Sequence, residues 1–303
     1  MSGRGTISSS ELLQWGTAHM TPGSEPPAAP REPIDPKWLE VIMGKEDAAR
    51  MKDCMEIIQA TDKSLDEKEG AFDELEMLVE SLDNANDLRP LKLWQPLIDI
   101  ATTSDEAKLR MYAAWVMGTA VQNNKKAQDD FLAAGGLEHM LLLVSSFPDS
   151  SVRDKAFYCV TSAVRNNPQA LETFMEKNGI ASIVTVGLDG DTRLLKRAMF
   201  FIRSLVEDEN PAEATRAAQA AKDNGVPDMA ADLILADISD MDLVEKCLQL
   251  LTAFAKSHPK VITADLRTKL TAQVLPALEA HAKSDTSEEP LWKEYRDELQ
   301  RSL

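Results

Sequence analysis

At 303 residues with a formal net charge of −17, the chain is too acidic to attract a phosphate backbone, and no basic run compensates. Hydrophobic residues make up 44% but aromatics only 5%, a mix rich in Ala, Leu, Met, Glu and Lys that favours helix and supplies ample core. The three cysteines (Cys54, Cys159, Cys247) stand far apart with no CxxC pair, which argues against a zinc site or a disulfide framework and predicts small buried hydrophobes.

Residues 1–36 are dominated by Ser, Gly, Pro and Ala and read as a flexible arm, because such a stretch buries too little apolar surface to offset its ordering entropy. One apolar island, Leu12, Leu13 and Trp15 in ELLQWG, interrupts it. MSGRGTISSS lacks the apolar centre of a secretory signal, and no later run nears the roughly 18 apolar residues that span a bilayer. A cytoplasmic protein without membrane contact is expected, with a nuclear pool left open. From residue 37 the pattern turns helical: Trp38, Leu39, Ile42 and Met43 share one face, as do Met51, Cys54, Met55 and Ile58. The region 37–303 is read as one repeat domain with a helical N-terminal cap and a C-terminal helix.

The centre of the chain repeats itself. KLRMYAAWVMGTAVQNN (108–124) overlies SVRDKAFYCVTSAVRNN (151–167) at a shift of 43, placing Ala113 on Ala156 and Asn123–Asn124 on Asn166–Asn167. RLLKRAMFFIRSLVEDE (193–209) follows at a shift of 42, with Ala198 under Ala156. Its Gly225–Val226 arrives about four residues late, which predicts a longer internal helix or loop. KEGAFDELEMLVESLDNAN (68–86) and MDLVEKCLQLLTAFAKS (241–257) are weaker first and last copies. Gly135–Gly136, Gly179 and Gly225 recur before an apolar run, where glycine can end a helix in the left-handed conformation. An all-helical period near 42 residues is the mark of armadillo or HEAT repeats. The expectation is an all-α, armadillo-like right-handed solenoid of roughly four or five repeats with a concave face.

Catalytic chemistry leaves little trace. His19, His139, His258 and His281 are scattered, GxSxG, HExxH and a Walker loop are absent, and LDGDT (188–192) lacks the remaining ligands of a calcium loop. No enzyme, metal or cofactor is expected. Tyr112, Trp115, Phe157, Tyr158, Phe200 and Phe201 read mainly as packing between repeats. Two features suit contact with another protein: the recurrent Asn pairs, which also suit helix caps, and DNAN (83–86), where a small Ala85 among polar neighbours would admit a partner's backbone.

ESLDNANDLRPLKLWQPL, GTAVQNN, VRDKAFYCVTSAVRNN and LLKRAMFFI, in this order and spacing, resemble the fungal Fes-type nucleotide exchange factors, whose animal counterpart is the heat-shock-protein-70-binding protein. The resemblance runs from LLQW to the C-terminal helix. It implies a cochaperone, active as a monomer, that grips one lobe of the ATPase domain of cytosolic heat-shock protein 70 (DnaK-type) chaperones and disturbs the other, so that ADP leaves. It carries the contact role onto Ala85 and Arg197, and by motif neighbourhood onto Asn84, Asn123, Arg153 and Asn166. It also implies that Leu12, Leu13 and Trp15 imitate a client for the chaperone's peptide-binding domain. The rival reading is an armadillo scaffold for extended peptides, whose longer ladders of inward Trp and Asn this chain lacks.

Overall fold

Asparagine pairs divide two tasks at the start of two of the repeats. Asn123 and Asn166 take left-handed backbone, φ 52° and 58°, and turn the chain. Asn124 and Asn167 behind them are buried N-caps whose side chains accept from the amides of Ala127 and Ala170 at 3.3 and 3.2 Å. Each cap also reaches back one repeat: Asn124 Nδ2 donates to the Leu82 carbonyl at 3.3 Å, and Asn167 Nδ2 to Asp129 Oδ1 at 3.1 Å. The pairs thus supply the helix cap expected of them, and a left-handed turn beside it.

The computed structural model describes residues 46–185, 191–284 and 291–303. The expected arm with Leu12, Leu13 and Trp15, and the helix expected around Trp38–Met43, lie outside the described residues. Asp47–Leu303 forms one compact unit. It opens with α1 (Asp47–Gln59) and α2 (Leu65–Val79). Ser64 and Glu67 close a reciprocal capping box at the start of α2.

Four three-helix units follow: α3 (Leu82–Asp87), α4 (Trp94–Thr103) and α5 (Ala107–Val121); α6 (Lys125–Ala133), α7 (Gly136–Ser146) and α8 (Ser150–Val164); α9 (Pro168–Glu176), α10 (Gly179–Val184) and α11 (Thr192–Val206); α12 (Pro211–Asp223), α13 (Val226–Ala236) and α14 (Met241–Ser257). After a short 3₁₀ turn, α15 (Ala264–Lys269) runs through a π turn into α16 (Leu275–Ser284), and α17 (Leu291–Ser302) packs on α14 with Trp292 and Leu299 buried. Among the described residues there is no strand, as the sequence predicts.

The repeat alignment meets the structure closely. α12 has 13 residues where α6 and α9 have 9, the four-residue lengthening inferred from the late Gly225. The third helix begins on an aspartate cap in three of the units, Asp149, Asp191 and Asp240. The left-handed turn between first and second helices is made by Gly135 and Gly225 as expected, but by Asn178 rather than Gly179, and by Lys92 in the first unit. Gly179 is small for another reason: a Cβ there would lie 2.2 Å from the Phe174 ring.

The long helices α2, α5, α8, α11 and α14 stack side by side. α2 packs on α5, α5 on α8 and α11 on α14, while α8 and α11 meet through Phe157 and Phe201, edge to face at 6.1 Å. Small buried residues occupy the same place in each: Ala71, Ala113, Ala156, Ala198 and Cys247. All three cysteines are buried free thiols, as expected. Replacing Asn167 by Ala removes a cap and a tie to the preceding repeat. Urea unfolding should report a loss of about 1–2 kcal/mol; an unchanged midpoint would show that the cap contributes nothing.

Candidate functional site

The outward edges of the stacked helices form one polar and aromatic face. On α5, Tyr112, Trp115 and Thr119 rise at helical spacing, followed by Gln122 at the C-cap. Phe72 of α2 stacks on Tyr112 at 5.6 Å, and Tyr112 on Trp115 at 6.0 Å. From α8, Lys155 Nζ lies 3.7 Å from the Trp115 ring centroid, and Tyr158 leans over Gly118. A Cβ on Gly118 would fall 2.6 Å from the Tyr158 ring and 3.2 Å from the Cys159 Cα, so only glycine lets α5 and α8 come this close.

Two adjoining cavities open here, sharing Gln122 and Tyr158 as a common wall. The first, about 300 Å³, is bounded by Glu76, Glu80, Leu82 and Thr119. Thr119 Oγ1 donates to Glu76 Oε1 at 2.7 Å, and the Tyr158 hydroxyl donates to Gln122 Oε1 at 3.4 Å. The second, about 240 Å³, joins Phe157, Phe200 and Phe201 to Asn123, Arg165 and Arg197. Phe200 is half exposed there, an unusual place for so large an apolar ring and one that suits an anchor for a partner.

Arg197 is held in place from two sides. Its Nη1 donates to Asp154, and its guanidinium carbon lies 5.0 Å from the Phe157 ring centroid. Arg193 shares the same carboxylate, at 3.6 Å. With 37% of its side chain exposed, Arg197 presents the outer edge of a fixed planar cation to the cavity.

The sequence-derived residues separate on this framework. Arg197 and Asn123 wall the same cavity, Asn123 exposed on its left-handed turn. Asn166 is exposed in the equivalent turn one repeat on. Asn84 is half-buried and occupied: its Nδ2 donates to Asp47 Oδ2 and to the Leu78 carbonyl, both at 3.0 Å, fastening α3 to α1 and α2.

Two expectations need correcting. Ala85 does not lie on a contact surface; it is 1% exposed, on the inner side of α3, which packs among α1, α2, α5 and α6. Its smallness serves that four-helix packing rather than a partner's approach. Arg153 is likewise 9% exposed, donating to the Phe147 carbonyl at 3.3 Å with Asp191 at 4.0 Å, so it ties the end of α7 to the cap of α11.

Sequence reasoning passed over Lys155, Tyr158 and Phe200 by assigning the aromatic residues to the core. A signal was available in the helical stripe Leu194, Ala198, Phe201 and Leu205, which Phe200 falls outside; Phe201 is buried and Phe200 is not. Among the described residues no cluster of His, Cys, Asp and Glu could hold a metal, and no helix is long and apolar enough to cross a membrane.

Stacked three-helix units with an exposed polar and aromatic face define an armadillo-like solenoid. A designed armadillo repeat protein, YIII(Dq)4CqI, superposes with a TM-score of 0.64 at 14% identity, over 84% of this chain and 99% of its own. Another, YIII(Dq.V1)4CPAF in complex with the peptide (KR)4, gives 0.62 at 15% identity over 83% and 98%. At such identity these show the fold alone. The family of the nucleotide exchange factor Fes1 matches residues 10–88, and that of the SIL1/FES1/HPBP1 C-terminal domain matches residues 84–257. The Hsp70 nucleotide exchange factor FES1 of Saccharomyces cerevisiae is 34% identical over 82% of this chain and 87% of its own length. Its Schizosaccharomyces pombe counterpart is 32% identical over 87% and 92%. The chain belongs to the Fes1 family.

Ala85→Arg must force a long cation into the packed centre of the first unit. Overpacking alone costs about 1–3 kcal/mol, so thermal unfolding should fall by several degrees; an unchanged melting temperature would mean that the α3 packing yields freely.

Proposed function

We propose that this chain is a nucleotide exchange factor for Hsp70-class chaperones and catalyses no covalent reaction. The reading rests on its Fes1 family membership and the face that α2, α5, α8, α11 and α14 expose. In this reading the face grips one lobe of the chaperone's ATPase domain while the bulk of the solenoid displaces the other. The nucleotide cleft then opens and ADP escapes. Free energy comes only from differential affinity for the open state, so ADP must weaken binding of this chain by the factor with which the chain weakens ADP. The chain acts as a monomer in the cytosol, and Leu12, Leu13 and Trp15 compete for the chaperone's peptide groove.

The observation that carries the reading is the grouping of Arg197, Asn123 and Phe200 around one open cavity. A pre-positioned guanidinium supplies direction, and a half-exposed aromatic ring supplies buried area on contact.

Stopped-flow release of fluorescent ADP from a cytosolic Hsp70 tests it. The wild-type chain should accelerate release strongly. Arg197→Glu and Phe200→Ala should each weaken the effect by about tenfold or more while remaining folded, the size of a hot-spot loss near 1.4 kcal/mol. No acceleration by a correctly folded chain would refute the exchange function. Removing residues 1–36 should leave ADP release intact but slow client release; equal client release would make the arm incidental.

A further inference from the structure

Lys155 stands in the middle of the exposed face, and neither the helix packing nor the ion pairs around it account for its charge. Its ammonium lies 3.7 Å from the Trp115 ring centroid and 5.9 Å from that of Tyr158. Trp115 is itself held by the stack through Tyr112 to Phe72. Neighbouring cations are paired: Lys196 with Asp240, Arg197 with Asp154, Arg203 with Glu207. Among the described residues no carboxylate forms an ion pair with Lys155. Burial draws its pKa below the ordinary lysine range, and the charges of Asp154 and Glu76 oppose that shift only in part.

An indole face attracts a cation but accepts no conventional hydrogen bond, so the outward side of the ammonium keeps its donors. The surroundings add to the imbalance. Arg193 and Arg197 share one carboxylate, that of Asp154, and Arg165 lies exposed on the wall of the second cavity. On a chain whose net charge is −17, Lys155, Arg165, Arg193 and Arg197 gather here against Asp154 and, on the adjoining cavity, Glu76 and Glu80.

We propose that Lys155, posed on Trp115, receives an Asp or Glu side chain of the chaperone's ATPase domain. The inference rests on the proposed exchange function and adds the chemistry of the partner's residue. The ammonium of this half-buried side chain is already partly withdrawn from water by the indole. A carboxylate arriving from the open side therefore meets a charge that is screened less than one at the rim. Trp115 is then a positioning residue, fixing where that charge sits.

Titration of a purified Hsp70 ATPase domain with the full chain, at low and at raised ionic strength, tests the idea. Lys155→Gln should weaken binding about tenfold, Lys155→Glu further, and Lys155→Arg should retain most of it. The loss in Lys155→Gln should shrink at high salt, because the wild-type pair is what salt screens. Lys155→Met, which keeps the aliphatic stem on the indole, replaces Lys155→Gln should the latter lower the melting temperature. Equal, salt-independent losses in the Gln and Glu variants would assign Lys155 to packing and overturn the proposal. So would wild-type affinity in Lys155→Gln alongside lost binding in Arg197→Glu, which leaves the exchange function standing. Failure of the wild-type chain to bind the ATPase domain overturns both.

Discussion

Close approach of the long helices is the constraint on which the rest of this structure depends. No three-helix unit can bury both of its apolar faces alone, so each must lie against the next. Side chains at the crossing points set how near the helices come. Ala71, Ala113, Ala156, Ala198 and Cys247 keep that position small through five helices. Gly118 goes further, since even one methyl group there would collide with Tyr158. The same spacing brings Thr119 to Glu76, Lys155 to Trp115 and Arg197 to Asp154, each pair bridging consecutive long helices. The exposed face is thus a product of core packing.

Helix capping joins the repeats in a second way. A cap normally satisfies its own helix, but Asn124 and Asn167 use their second polar group on the repeat before. Both ends of a planar amide are occupied, which Asp, an acceptor alone, cannot match and Ser could offer only from a single oxygen. The left-handed residues that precede them, Asn123 and Asn166, are pushed outward by the same turn. Their exposure follows from the cap, and Asn123 is available to the second cavity because Asn124 is buried. Structure and recognition are carried there by neighbours in sequence.

Much of this was legible in the sequence, and the failures have physical causes. Period, repeat order and the lengthened α12 follow from residues that recur for packing reasons, which a self-alignment detects. The number of helices per unit is harder to see: α3 and α10 have only six residues each, too short to show a periodic stripe. Ala85 marks the same limit, for small size signals close approach without saying whether a helix or a partner approaches. Arg153 was misplaced because a guanidinium suits a buried carbonyl as well as a foreign carboxylate. Lys92 adopts φ 60° with no glycine or asparagine to announce it, where tertiary packing overrides local preference. The membership of Arg197 and Asn123 in one cavity needs the superhelix itself, since they are two repeats apart.

The cysteines have a consequence for how the protein meets its chemical surroundings. Burial pushes the Cys54 thiol up to about 11 and the Cys247 thiol up to about 12, and raises that of Cys159 as well. Thiolate is the form that attacks disulfides, peroxides and electrophiles, so at neutral pH almost none is offered. Alkylation or mixed-disulfide formation therefore has to wait for the helices to part. The rate at which a thiol reagent labels the native chain reports how often the stacked repeats open, making three core atoms a built-in gauge of the solenoid's breathing.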